Sequence, residues 1–152
     1  MGTRSKLEST LVGVAGEYFV AAELSLRGCL ASITLRNSRG IDIIASSPDA
    51  TRSVSIQVKT SSGGKPKWLL TKKSECFSAE NHFYVLVLLR GIGTRPDFYV
   101  VPSDVVAHYI RDSHRDWLAG TKTDGSPRKD SSMRNFCDPD GEYKEAWERL
   151  NL

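Results

Sequence analysis

Residues 83–89 read Phe-Tyr-Val-Leu-Val-Leu-Leu, an unbroken apolar run bounded by polar residues upstream and Arg90 downstream. A run of this length suits a strand buried on both faces, and such a strand belongs inside a sheet that has cover on both sides. At 152 residues the chain is large enough to build that arrangement around one core.

The cover is visible in the pattern. Lys6 to Arg27 has helical periodicity, with Leu11, Ala15, Tyr18, Phe19, Ala22 and Leu26 on one face and Val14, Val20, Ala21 and Leu24 on a second apolar flank. The expectation is a helix buried around much of its circumference and stopped at Gly28. Pro102-Ser103 predicts the start of another helix, capped by Ser103, favoured by Asp104 and running to about Leu118. A third, short amphipathic helix is expected over Glu142–Leu150.

Strands fill the space between. Ile33–Arg36 reads as a short strand and Asn37-Ser38-Arg39-Gly40 as a turn. Ile41–Ala45 alternates, with Asp42 and Ile44 opposite Ile41, Ile43 and Ala45. Ser46–Ser53 is a hairpin connection by composition. Val54–Thr60 then sets Val54, Ile56 and Val58 on one face and Ser55, Gln57 and Lys59 on the other. A short Trp68-Leu69-Leu70 segment and a strand over Phe98–Val101 complete the set, while Thr121–Arg134 is polar and reads as a loop. The fold expected is one α/β domain with a mixed sheet.

Composition narrows the setting. Cys29, Cys76 and Cys137 are odd in number and form no CxxC pair, so neither a disulfide framework nor a zinc knuckle is indicated. Cys29 and Cys76 lie beside apolar residues and are expected to be packed. No signal peptide is evident in MGTRSKLEST, and the longest apolar run is too short for a bilayer, so a cytoplasmic, non-membrane protein is expected. The net charge of +3 says little. Its distribution says more: between Ser61 and Lys73 stand Lys65, Lys67, Lys72 and Lys73 with no acid. Such a patch attracts phosphate, or is simply a solvated loop.

Three places carry unexpected polar groups. Glu17 projects from an apolar helical stripe beside Gly13 and Gly16, where a half-buried acid needs a salt bridge, hydrogen bonds or a metal. Asp42 interrupts an Ile/Ala strand. Gln57 and Lys59, two apart, share the polar face of their strand. Whether Asp42 joins that face depends on pairing register, which the sequence leaves open. The three histidines lack metal-ligand spacing and read as ordinary. Gly91-Ile92-Gly93 reads as a turn.

Taken together, a helical acid, a strand acid about 25 residues on, and a polar-x-Lys strand about 15 further resemble the order of PD-(D/E)XK nucleases, especially the Holliday-junction-resolvase-like and restriction-type branches. Gly-Glu-Tyr-Phe-Val-Ala-Ala-Glu-Leu (16–24), Gly-Ile-Asp-Ile-Ile-Ala (40–45) and Gln-Val-Lys-Thr-Ser (57–61) carry the resemblance, which covers about residues 8–110 and leaves 111–152 as an extension. It implies a restriction-endonuclease-like core of about five mixed strands flanked by helices. It also implies Mg²⁺ or Mn²⁺ held by Asp42, Glu17, Gln57 and the Val58 carbonyl, with Lys59 orienting the attacking water. DNA is then the substrate, the basic lysines would contact its backbone, and a homodimer is reasonable. Gln57 stands where the family usually has Asp or Glu, although some branches carry Gln. A neutral oxygen there weakens metal binding, which leaves a second reading: an inactive nucleic-acid-binding or assembly subunit with the same fold. A protein–protein module is a third.

Overall fold

A computed structural model describes residues 7–35 and 39–152. Lys6, the proposed strand end at Arg36 and the Asn37-Ser38 half of the expected turn lie outside the described residues.

The elements are α1 (Ser9–Leu26), β1 (Leu30–Ile33), β2 (Ile43–Ser46), β3 (Ser53–Ser61), β4 (Lys67–Thr71), β5 (His82–Leu88), β6 (Asp97–Pro102), α2 (Ser103–Ala119) and β7 (Met133–Cys137). Two 3₁₀ turns, Lys72–Glu75 and Trp147–Leu150, complete them. Five strands form one mixed sheet in the order β1-β2-β3-β5-β6, with β3 and β5 parallel and the other neighbours antiparallel. β4 and β7 form a separate antiparallel ribbon. The parallel pair requires a crossover, and residues 62–81 supply it by way of β4.

All seven residues of β5 are buried, as the continuous apolar run requires. Phe83, Val85 and Val87 join Val54, Ile56 and Val58 beneath α1, while Tyr84, Leu86 and Leu88 join Trp68, Leu70, Ile110 and Phe136 on the far side. The expected cover is therefore real, but on one side it is shared between α2 and the ribbon. Trp68 fastens the ribbon to the sheet, its indole N–H donating to the Val87 carbonyl at 2.9 Å.

α1 packs by a different face from the one its periodicity suggested. Val12, Gly16, Val20 and Leu24 are buried, whereas Leu11 (53% exposed), Tyr18 (66%) and Leu26 (84%) face outward. Gly16 explains the choice. A Cβ at this position would lie 1.8 Å from Thr60 Oγ1, so the bare helix backbone sits directly on β3. Gly28 ends the helix at φ +83°, and the Cys29 amide reaches back to the Leu24 carbonyl at 3.0 Å.

Other expectations need correcting. The first strand lies at Leu30–Ile33, upstream of the expected Ile33–Arg36. Ser103 does not cap α2: Pro102 holds the cap position, and the buried Ser103 hydroxyl instead donates to Ala79 O and accepts from Ala79 N–H. Part of the expected 121–134 loop belongs to β7, which pairs with β4. Cys76 is exposed rather than packed, and Cys29 is half-buried. Among the described residues no helix is long and apolar enough to cross a membrane.

No α-helix forms over Glu142–Leu150. The Asp138 carboxylate accepts the amides of Glu142 (3.0 Å) and Tyr143 (2.9 Å), and Glu145 turns the chain at φ +54°. The segment runs instead along the outer edge of β6: Val100 N–H donates to Tyr143 O and Glu145 N–H to Phe98 O. Ala146, Trp147 and Leu150 then drop into the core under α1. Arg95 secures the segment from outside by bridging Glu145 and Glu23.

Candidate active site

Asp42 stands one residue before β2. The β2–β3 register runs from Ile43↔Ile56 to Ser46↔Ser53, and one further step brings Asp42 to Gln57. The ladder slips at that step. Asp42 N–H donates to Ile56 O (2.8 Å), the carbonyl opposite Ile43, and the next amide on that edge of β3, Val58 N–H, is taken by Asp42 Oδ2 at 2.7 Å. A side-chain carboxylate thus replaces backbone where the strands part. On the other flank Thr34 N–H donates to Asp42 O (2.9 Å), and Thr34 Oγ1 donates to Ile41 O (2.7 Å). The acid is held by its main chain from both sides and by one of its own oxygens.

The facing residues belong to β3 and β5. Gln57 is in register with Tyr84 and Lys59 with Leu86, so both point away from α1 toward the second core layer. The charge of Asp42 is felt on that side: Lys59 and Asp42 attract one another, and Asp42 helps to raise the Tyr84 pKa. Burial is the main cause of the raised Tyr84 value, and Ser74 works against it. The Tyr84 hydroxyl closes no hydrogen bond of normal geometry to a described residue. Asp42 also titrates above the ordinary carboxylate value. Partial burial raises it, and the Val58 amide and Lys59 recover only part of the cost.

Gly40 (φ +67°) itself lies close to this face. A Cβ there would stand 3.2 Å from the Phe77 ring and 3.7 Å from Gln57 Oε1. Beyond Tyr84, His82 is buried with Nδ1 2.8 Å from Ser55 Oγ and Nε2 without a partner among the described residues. Desolvation keeps its pKa below the usual value. Neither Tyr84 nor His82 was picked out by spacing. Only the parallel β3–β5 register puts them beside Ser55 and Gln57.

Glu17 arrives from the other layer. It is half-buried and engaged, and it follows Gly16, which rests on Thr60, the residue after Lys59. The structure thus sets Lys59 within electrostatic reach of Asp42, carries Gln57 on the same face of β3 as Lys59, and sets Glu17 next to the α1–β3 contact. The lysines lie further along. Lys65, Lys67, Lys72 and Lys73 are all exposed, the first two leading into β4 and the last two in the turn after it.

The donor set suits a hard cation. Asp42 commits one oxygen to the Val58 amide, its second carboxylate oxygen is a hard donor, and Gln57 adds a neutral oxygen. Val58 C=O leaves β3 on the same edge as its N–H, toward Asp42. Among the described residues no group of three or more His, Cys, Asp or Glu could hold a metal ion.

In sequence, no family model and no curated protein matches the chain. Among solved structures its fold is similar to that of a bacterial homing endonuclease, I-Ssp6803I, with a TM-score of 0.56 over 96% of this chain and 94% of that one, at 15% identity. At that identity the similarity is one of fold.

Proposed function

We propose that the chain is a metal-dependent endonuclease that hydrolyses DNA phosphodiester bonds. The observation that carries this reading is the break in the β2–β3 ladder, where the Asp42 carboxylate occupies a backbone position beside Gln57 and Lys59. Partial burial of this carboxylate carries a cost that a bound cation would offset. The similarity of fold to a homing endonuclease supports the same reading.

Asp42, Glu17, Gln57 and the Val58 carbonyl would hold Mg²⁺ or Mn²⁺. The ion's part is to polarise the phosphate and lower the pKa of water. The protein's own contribution is arrangement. Asp42 is pre-set by the Val58, Ile56 and Thr34 contacts, so little reorganisation is needed on binding. Lys59, fixed on β3 within the field of Asp42, offsets charge on the phosphate and orients the attacking water. Lys65, Lys67, Lys72 and Lys73 hold the phosphate backbone. The outward face of α1, with Leu11, Tyr18, Phe19 and Leu26, offers an apolar surface on which two copies would pair to cut both strands.

The test is cleavage of labelled linear, nicked and four-way-junction DNA with Mg²⁺ or Mn²⁺, comparing the native chain with Asp42→Ala. Metal-dependent cutting that disappears in the variant supports the reading. Salt-sensitive binding without cutting in either metal would favour the inactive DNA-binding alternative, with the neutral Gln57 as its cause.

A further inference from the structure

The β4–β7 ribbon has an outer face that stability does not explain. Its register pairs Lys67↔Cys137, Leu69↔Asn135 and Thr71↔Met133 on the outside, and Trp68↔Phe136 and Leu70↔Arg134 on the inside. The inner residues are buried. On the outside Leu69 and Met133 are each 55% exposed, Asn135 stands between them, and no acid is present.

Cations mark both ends of this face. Lys65 and Lys67 stand at the start of β4, and Lys72 and Lys73 directly follow it. Lys67 and Lys72 are five residue steps apart along β4, about 17 Å at roughly 3.4 Å per step. That is enough to bridge a major groove about 12 Å wide, and a two-stranded ribbon is one of the shapes that groove admits. The neighbouring acids are engaged: Asp130 with Lys72, His114 and Arg134, and Glu75 with Arg134.

An open groove of about 510 Å³ is lined by Ser9 of α1, by Thr60, Ser61 and Gly63 at the end of β3, and by Leu69 and Asn135 of the ribbon. Thr60 follows Lys59 on β3 but faces the α1 side, so the groove joins the ribbon to the end of the strand that carries Lys59.

We propose that the outer face of the β4–β7 ribbon enters the DNA major groove and selects sequence. Asn135 hydrogen-bonds a base edge, with adenine the preferred partner of an asparagine, while Leu69 and Met133 pack on thymine methyl groups. The lysines at the two ends hold phosphate and set register without reading sequence. This rests on the nuclease reading for the presence of DNA, and adds base recognition to it.

The test is selection from a randomised duplex library with Ca²⁺ replacing Mg²⁺, using the native chain, Asn135→Ala, Leu69→Ala and Lys67→Ala. Native protein should yield a consensus. Asn135→Ala and Leu69→Ala should each relax it at one or two positions, by about tenfold in preference. Lys67→Ala should weaken all sequences alike and lower the salt slope by about one. Binding with no consensus, or a consensus unchanged in both ribbon variants, overturns the inference and leaves the nuclease reading standing. No DNA binding by any form overturns both. The substituted side chains are exposed, so thermal melts should coincide and exclude unfolding as the cause.

Discussion

Asp42 Oδ2 accepts the Val58 amide at 2.7 Å, at the point where the β2 backbone ceases to pair with β3. The bond needs an oxygen but not a charge, which separates the structural role of this residue from its chemical one. Asp42→Asn keeps an oxygen for Val58 and removes the buried charge. Because the native pKa is raised, protonation of Asp42 stabilises the fold at low pH, and that stability is lost as pH rises through the native value. At neutral pH the Asn variant should melt no lower than the native chain, and the gap should close on acidification. Its cleavage should be abolished. A cleaving Asn variant would sink the metal-ligand role.

Lys59 should separate binding from turnover. Lys59→Met keeps most of the aliphatic stem while removing the charge. Metal binding, followed by calorimetry, should persist, while single-turnover cleavage falls by about 10²–10³-fold, the usual cost of one transition-state donor.

Gln57→Glu installs a second carboxylate beside Asp42. Mg²⁺ affinity should rise, since an anionic oxygen replaces a neutral one. Without metal, like charges raise the Asp42 pKa further, so the acid limb of a metal-binding pH profile should move upward. Unchanged affinity would place Gln57 outside the ligand shell.

Gly16→Ala tests the seat of α1. The new methyl meets Thr60 Oγ1, and relieving that overlap should cost about 1–3 kcal/mol in chemical denaturation. Adding Thr60→Ala removes the obstructing hydroxyl, so the pair should be strongly non-additive. Additive losses would mean that the helix does not rest on this contact.

His82 predicts an acid-sensitive fold. Its pKa is lowered by burial, so below about 6.5 the unfolded chain takes up the proton more readily and stability falls with pH. His82→Gln should flatten the melting-temperature profile between pH 7 and 5, as read by circular dichroism.

The strands were legible because their alternation is local. Ile43, Ala45, Val54, Ile56 and Val58 are buried as their spacing required. The face of α1 was misread because two apolar flanks compete along it, and Gly16, with no side chain to register in a hydrophobic pattern, decides between them. The contribution of Tyr84 was hidden in an apolar run, since only the parallel register reveals that it faces Gln57. The ribbon was invisible for a similar reason: Lys67–Thr71 and Met133–Cys137 are more than sixty positions apart and meet through Trp68 and Phe136 on a surface made by β5. The four resemblance-bearing residues stand out in the sequence as sparse polar groups in apolar company. The slipped ladder around Asp42 does not, because it depends on the backbone of two strands at once.

Residues 143–150 have a consequence for biogenesis. They occupy the outer edge of β6 and supply Trp147 and Leu150 to the interior. During synthesis β6 leaves the ribosome some forty residues before they do. Over that interval the nascent sheet exposes unpaired amides and an unfilled apolar hollow, the combination that invites pairing between chains. Slow translation of this stretch should therefore lower soluble yield even though the finished protein is unchanged.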